Sequence, residues 1–282
     1  PYANAIYGAW QKDFLLVQWD QRGTARTYGQ NAPQELTPEY LQSHPLSLEQ
    51  MTVDGIELAK LLVKRFRKKK IILFGSSWGS VLGVKMAQKA PALFYAYIGH
   101  SQLVKPVASE LSAYRKLVQL AQKSNDRQSL DMLYQVGQPP YDTGRNAGRF
   151  MRILKKYQQK NATPPPASWF TLSAEYDNEK DRQHRSDGDD YSFVNYTGDK
   201  QLRIASISAT INFPEDALEF DIPVYLIQGE EDIQTPAANN KEWFDKIKAP
   251  AKKLILLPKT EHGINQAVLD AQFSMMTKNI RL

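Results

Sequence analysis

The chain has 282 residues, of which 42% are hydrophobic and 23% charged, so its composition supports a packed core and excludes wholesale disorder. Its formal net charge is +6, and the densest cationic run, residues 64–70, closes an amphipathic segment. Cations are favourable at a helix C-terminus, so we predict an exposed helix end there and no nucleic-acid partner.

The absence of cysteine excludes disulfides and thiolate metal sites. It does not decide the compartment, for which the cytoplasm is the starting expectation. No apolar run approaches the roughly 18 residues that a membrane-spanning helix needs, so we predict a soluble protein without a membrane partner. The oligomeric state stays open.

In the first hundred residues, apolar β-rich runs alternate with helical patterns, without the turn sequences of hairpins. The run 14–19 has the pattern of a buried strand that ends in a polar turn at 20–23. A helix is predicted over about 47–66, with Ser47 and Gln50 placed as a capping box. The next predicted elements are a strand at 71–74, a helix at 81–89 and a strand at 95–99. This order is typical of parallel strands joined by crossover helices.

The middle of the chain, residues 103–203, differs in kind: it has long polar helical patterns, a proline-rich break and an acidic run at 187–190. That run lacks the full spacing of a calcium-binding loop, so we interpret it as a solvated loop. Strand patterns resume at 224–228 and 253–257, and helical patterns at 236–247 and 265–279. The sequence therefore predicts an α/β fold with a mostly parallel sheet flanked by helices. Residues 1–102 and 204–282 would form the core, and 103–203 an inserted helical cap.

A Gly-x-Ser-x-Gly pattern at 75–79 lies between a predicted strand and a predicted helix, which is the context of a nucleophile elbow. Such a turn holds its serine in a strained backbone conformation, so we expect a Cβ at Gly75 or Gly79 to clash with its neighbours. The turn also brings the Trp78 backbone N–H to a helix N-terminus, where it can donate to a developing oxyanion. Ser77 is therefore the candidate nucleophile, and a purely structural turn is the alternative.

A serine hydroxyl needs a base within hydrogen-bond reach and a group that orients this base. Of the four histidines, only His262 directly follows the last apolar strand, as the chain order Ser, acid, His of α/β hydrolases requires. Asp232 follows the preceding strand and is the candidate acid, although its position also suits a helix cap. Its neighbours Glu230 and Glu231 remain alternative acids. This chemistry needs no cofactor and no metal.

These residues resemble the proline iminopeptidase branch of the α/β hydrolases, peptidase family S33. The segment 20–26 is similar to that branch's Asp-Gln-Arg-Gly-x-x-Arg sequence, and 75–80 to its Gly-Gly-Ser-Trp-Gly-Ser elbow. The likeness continues through 228–236 and His262 and leaves the middle of the chain poorly matched. The resemblance implies a triad of Ser77, Asp232 and His262 that transfers an acyl group to water.

The chain departs from that branch in two places. The His-Gly-Gly-Pro-Gly loop, which supplies a second oxyanion donor in the branch, is missing, and only 19 residues precede Asp20. We therefore expect an N-terminally incomplete version of a longer protein, without the first strands of the sheet. The Trp-x-x-Trp-Glu context that binds a substrate's free amine does not occur either. Trp169, Glu175 and the acidic run are the candidates to replace it.

The sequence thus predicts a serine hydrolase that cleaves an amide or ester bond of a small molecule or short peptide through an acyl-enzyme on Ser77. An N-terminal proline-releasing aminopeptidase is the first hypothesis, and a carboxylic-ester hydrolase is the second. A non-catalytic binding protein of the α/β-hydrolase fold is the alternative of another class. We interpret the turn at 20–23 as a structural support of its own loop.

Overall fold

The computed structural model describes residues 3–280, and its centre is a four-stranded parallel sheet. The strands are β1 (Ile71–Ser76), β2 (Phe94–His100), β3 (Val224–Gly229) and β4 (Lys252–Leu257), and they lie side by side in this order. Each neighbouring pair runs parallel. The predicted α/β architecture with a parallel sheet is confirmed.

Helices connect and cover these strands. Before β1 come α1 (Ala3–Tyr7), α2 (Ala25–Asn31), α3 (Pro38–Ser43) and α4 (Leu48–Arg65), and α5 (Trp78–Lys89) joins β1 to β2. Between β2 and β3 lie α6 (Pro106–Lys123), α7 (Arg127–Val136), α8 (Gly144–Gln158), α9 (Glu179–Thr197) and α10 (Phe213–Asp216). The strand β3 leads through α11 (Ala237–Lys246) to β4, and α12 (Gln266–Asn279) follows.

The predicted helix at 47–66 corresponds to α4. Its cap forms as expected, because Ser47 Oγ accepts a hydrogen bond from the Gln50 N–H at 3.1 Å. Lys64 and Arg65 form its last turn, and they are exposed like most of the cationic run that follows. Among residues 3–280, no helix combines the length and hydropathy needed to cross a bilayer.

The two faces of the sheet carry separate hydrophobic cores because successive side chains of a strand point to opposite faces. Val224 and Leu226 of β3 pack into the core that α4, α5 and α11 complete. Tyr225 and Ile227 of the same strand pack into the core formed with α12. A third apolar cluster is built by α6, α7 and α8, whose buried residues include Leu117, Leu133 and Leu154.

The predicted strand at 14–19 does not form. The described chain has no ladder partner for this segment, and Leu15 and Val17 are 62% and 44% exposed. An apolar β-rich pattern favours an extended backbone, but a strand exists only where a neighbour accepts and donates its hydrogen bonds. The prediction of a buried strand is therefore wrong.

The acidic run 187–190 is not a loop either, because it lies inside α9. Aspartate is a poor helix former, yet tertiary packing overrides this preference here. A Cβ at Gly188 would stand only 3.0 Å from the Ala25 backbone nitrogen, so the helix passes very close to the start of α2. The start of α9 is capped by Asn178, whose Oδ1 accepts a hydrogen bond from the Asp181 N–H at 2.9 Å.

Candidate active site

Ser77 stands at the turn between β1 and α5, with φ 51° and ψ −121°. A positive φ is strained for a residue with a Cβ and persists only where surrounding contacts impose it. Here the Ser77 N–H donates to the His100 carbonyl at 3.0 Å, and the Ser80 hydroxyl donates to the Ser77 carbonyl at 2.5 Å. The strand, strained serine and helix therefore follow one another as the elbow pattern predicts.

The two glycines of the elbow differ in the space that surrounds them. A Cβ at Gly75 would lie 2.5 Å from the Gly79 carbonyl oxygen and 2.7 Å from Ser80 Cα, both in the backbone. A Cβ at Gly79 would have no heavy atom within 4 Å, because this position in the first turn of α5 faces open space. The expected clash is present at Gly75, and the expectation for Gly79 is wrong.

His262 lies between the two other predicted site residues. Its Nε2 is 2.8 Å from Ser77 Oγ, and its Nδ1 is 3.0 Å from Asp232 Oδ2. The carboxylate side chain is fully buried, whereas the imidazole keeps 16% of its surface exposed. The fold thus brings together three side chains that are distant in the chain. Ser77 and His262 are 185 residues apart, and Asp232 and His262 are 30 residues apart.

Asp232 is held by several donors besides His262. The Thr235 N–H and hydroxyl donate to its carboxylate at 2.7 Å and 2.5 Å, and Gln228 Nε2 donates at 3.0 Å. Burial alone would raise the pKa of Asp232, but the His262 ring and the Thr235 donors outweigh it and lower the pKa. Asp232 therefore accepts hydrogen bonds within its own loop and contacts His262 at the same time. It does not cap α11, whose N-cap residue is Pro236, and Glu230 is exposed.

The loops that carry Asp232 and His262 approach each other closely at Gly229. A Cβ at this residue would lie 2.3 Å from the Thr260 carbonyl oxygen. The Glu231 N–H donates to that same oxygen at 2.9 Å. A glycine at the end of β3 thus allows the backbone contact that sets the two loops side by side.

A cavity of about 450 Å³ opens at Ser77, and helices α6, α8 and α9 supply most of its walls. Its lining is predominantly apolar and includes Leu103, Phe150, Leu154, Phe193 and Ile207. Carboxylates line it as well, namely Glu110, Asp189 and Asp190, and no lysine, arginine or histidine of the described chain does so. The electrostatic character of this cavity therefore favours a cationic group in a ligand.

Glu110 is the site residue that the sequence did not reveal. It lies on the amphipathic helix α6 without any motif around it. Burial raises the pKa of Glu110 to about 7, and burial together with the charge of Glu110 raises the pKa of Tyr141 and of Tyr196. Asp189 is more exposed, and burial followed by the charge of Asp190 raises its pKa.

Of the residues considered as replacements for an amine-binding motif, some line the cavity and others do not. Asp189 and Asp190 of the acidic run line the cavity. Trp169 is instead buried in the core beside α12, and Glu175 accepts a hydrogen bond from Arg26 Nη1 at 2.9 Å. Neither of these two residues lines the cavity.

The turn at 20–23 supports the elbow as well as its own loop. Gln21 Oε1 accepts a hydrogen bond from Trp78 Nε1 at 3.0 Å, and the Gly23 carbonyl accepts one from the Ser192 hydroxyl of α9 at 2.7 Å. Arg22 pairs with Asp54 through two bonds of 2.7 Å and 2.8 Å. The structural interpretation of this turn is confirmed. The turn also contacts the elbow, α9 and α4, in addition to its own loop.

The profile of the serine aminopeptidase family S33 matches residues 2–266, a span that contains Ser77, Asp232 and His262. The protein belongs to this family. It is therefore an α/β-hydrolase enzyme, and the resemblance seen in its motifs is confirmed. The alternative of a non-catalytic binding protein is not supported.

Individual relatives agree with this membership. The protein named "Probable aminopeptidase YbaC" from Bacillus subtilis (strain 168) is 25% identical over 254 residues, which cover 88% of this chain and 74% of the relative. The crystal structure of VinJ superposes with a TM-score of 0.65 at 15% identity and covers 98% of this chain and 83% of its own.

A proline iminopeptidase from Mycobacterium smegmatis has a TM-score of 0.51 at 14% identity, with 81% of this chain and 67% of that chain covered. A thermophilic esterase from Thermogutta terrifontis has a TM-score of 0.53 at 16% identity and covers 96% of this chain and 82% of its own. At such identities the solved structures share the fold with this chain.

Proposed function

We propose that this enzyme is an aminopeptidase that hydrolyses the N-terminal amide bond of short peptides through an acyl-enzyme on Ser77. The observation that carries the proposal is the hydrogen-bonded series Ser77, His262, Asp232 at the edge of a cavity with carboxylates in its wall. The family's description as serine aminopeptidases supports the same reaction class.

The geometry suits the steps of serine hydrolysis. Ser77 Oγ attacks the scissile carbonyl while its proton passes to His262 Nε2, 2.8 Å away. The Asp232 carboxylate accepts the Nδ1–H and stabilises the imidazolium, and the Trp78 backbone N–H donates to the oxyanion. His262 then returns the proton to the leaving amine. Water attacks the acyl-enzyme in the second half of the reaction, with His262 again as the base.

We further propose that the substrate's ammonium group binds in the cavity near Glu110. A half-buried carboxylate gains most from a cationic partner, because that partner replaces the water it has lost. Asp189 and Asp190, which are more exposed, would attract the same charge on its way in. The apolar walls would accept a proline ring or another uncharged side chain.

We also propose that residues 103–203 act as a cap that sets substrate size. Three of their helices form the cavity walls, and α6, α7 and α8 share an apolar cluster of their own. Such a segment can close a substrate off from water while the sheet holds Ser77, Asp232 and His262.

Carboxylic esters form the second substrate class, because the mostly apolar lining accepts an uncharged acyl group equally well.

The deciding comparison uses proline p-nitroanilide, its N-acetylated counterpart and p-nitrophenyl butyrate, with wild type and Ser77→Ala. We expect cleavage of the free-amine substrate, little cleavage of the N-acetylated one, and loss of all activity and of fluorophosphonate labelling in Ser77→Ala. Preference for the N-acetylated amide or for the butyrate would contradict the aminopeptidase proposal. Unlabelled wild type would contradict the acyl-enzyme itself.

A further inference from the structure

A second histidine lies behind the Ser77–His262 pair and has no part in the steps above. His100, the last residue of β2, is 1% exposed. Its Nδ1 is 2.9 Å from Ser76 Oγ, and its Nε2 is 3.2 Å from Ser101 Oγ. The Ser101 hydroxyl in turn donates to the backbone carbonyl of His262 at 2.8 Å. A path of hydrogen bonds that runs through the buried residues His100 and Ser101 thus joins Ser76 to the backbone of His262.

The direction of every bond in this path follows from the number of protons available. Burial lowers the pKa of His100 to about 3, so at neutral pH its ring carries a single N–H. Ser101 has one hydroxyl proton, and the His262 carbonyl can only accept it. Ser101 Oγ must therefore accept from the Nε2–H of His100, which leaves Nδ1 to accept from the Ser76 hydroxyl. His100 and Ser101 then each donate one hydrogen bond and accept one.

The backbones of His100 and Ser101 are also bonded to the elbow and to β3. The His100 carbonyl accepts the Ser77 N–H at 3.0 Å, and the Ser101 N–H donates to the Ile227 carbonyl of β3 at 3.2 Å. Ser101 has φ 47°, a conformation that these contacts impose on a residue with a Cβ. Residues 100–101 are thus the point where the elbow, β3 and the His262 loop are tied together.

We propose that His100 and Ser101 are positioning residues that hold His262 at reacting distance from Ser77. The inference rests on the proposed function, because it concerns the same two reacting side chains. Asp232 orients the His262 ring through Nδ1, but the ring's distance from Ser77 also depends on where the His262 backbone lies. The Ser101 hydroxyl holds that backbone, and the neutral His100 ring orients the hydroxyl.

The first test is Ser101→Ala, which removes the bond to the His262 carbonyl and keeps the Cβ, so the backbone strain is unchanged. Small displacements of a catalytic group are costly, so we expect kcat and the rate of fluorophosphonate acylation to fall roughly ten- to hundred-fold with little change in KM. The downfield proton resonance of the bond between His262 and Asp232 should broaden. Ser43→Ala is the matched control, because Ser43 Oγ also donates to a backbone carbonyl, that of Glu39 at 2.7 Å, but on the exposed helix α3. It should leave all three measurements unchanged.

A second pair of variants separates positioning from folding. His100→Gln keeps an N–H donor that can reach Ser101, whereas His100→Leu fills similar space without one. We expect the acylation rate of His100→Gln to lie closer to wild type at equal thermal stability. Wild-type acylation rates in Ser101→Ala and His100→Leu, with only the melting temperature lowered, would overturn the inference. If wild type itself is not labelled, the proposed function is wrong, and the proton resonance alone then decides whether Ser101 positions His262.

Discussion

Asp232 Oδ2 lies 3.0 Å from His262 Nδ1, and no part of the Asp232 side chain is exposed. Asp232→Asn would keep the shape of the side chain but lose the charge that stabilises the imidazolium and selects its tautomer. We expect kcat for proline p-nitroanilide to fall by about 10⁴-fold. Glu230→Gln is the control, because Glu230 is an exposed carboxylate of the same loop. Equal losses in both variants would contradict the assignment of Asp232.

The raised pKa of Glu110 predicts a pH dependence of substrate choice. Below pH 7 this carboxyl is largely protonated and cannot attract an ammonium group, since its pKa is raised to about 7 by burial. We expect the ratio of kcat/KM for proline p-nitroanilide to that for p-nitrophenyl butyrate to rise with pH between about 5 and 7.5. Both substrates need His262 equally, so its contribution to the rate cancels in the ratio. The ratio should become independent of pH in Glu110→Gln, and an unchanged slope would contradict amine binding by Glu110.

The same group predicts a pH-dependent stability. The pKa of Glu110 is raised from an ordinary 4.5 to about 7. Between these two pH values the folded state holds a proton that the unfolded state has lost. The protonated Glu110 side chain therefore favours the folded state. This contribution to stability is fully present below pH 4.5 and is lost as the pH rises through about 7. Glu110→Gln should therefore be more stable than wild type at pH 8 by roughly 1–3 kcal/mol, and much less so at pH 5. Urea denaturation of both proteins at the two pH values measures the difference.

The two glycines of the elbow form a matched pair for mutation. Gly75→Ala would drive a Cβ to 2.5 Å from a backbone oxygen, so we expect a loss of roughly 2–4 kcal/mol in the free energy of unfolding and a severe loss of activity. Gly79→Ala meets nothing within 4 Å and lies in a helix. It should retain activity and gain up to roughly 1 kcal/mol, because alanine favours helix more than glycine does. Thermal unfolding and fluorophosphonate labelling of both variants test the prediction.

Arg26 connects α2 to the start of α9 and to the segment before it. It donates to Asp181 at 2.7 Å and to Glu175 at 2.9 Å, and its guanidinium lies 4.1 Å from the Tyr176 ring centre. In Arg26→Ala we expect faster amide hydrogen exchange over residues 174–181 and a higher KM, because α9 forms part of the cavity wall. Arg182→Ala removes an exposed ion pair with Asp177 in the same region and should change neither measurement.

Local patterns were sufficient to predict the strands of the sheet and the three candidate residues Ser77, Asp232 and His262. The runs at 71–74, 95–99, 224–228 and 253–257 all lie within strands of the structure. Parallel strands present their carboxyl ends at one edge, so the loops after β1, β3 and β4 meet, and the chain order of Ser77, Asp232 and His262 could be interpreted without coordinates.

The same local patterns were misleading wherever a distant partner decides the outcome. The run 14–19 has a strand's composition but no neighbour to pair with in the described chain, and the acidic run 187–190 becomes helical because Gly188 packs against the start of α2. Gly75 and Gly79 are alike in sequence and differ in space. Such results depend on contacts between residues far apart in the chain, which no short-range periodicity records.

The sequence by itself therefore determined the architecture of the core and the order of the three candidate side chains, because hydrophobic periodicity and strand-end position are local properties. Only the tertiary structure decided which groups surround them. Glu110 enters the cavity through the packing of α6, and His100 reaches Ser76 through the register of β1 and β2. The environments that change the pKa values of these two residues arise from burial by distant segments, so they exist only once the chain has folded.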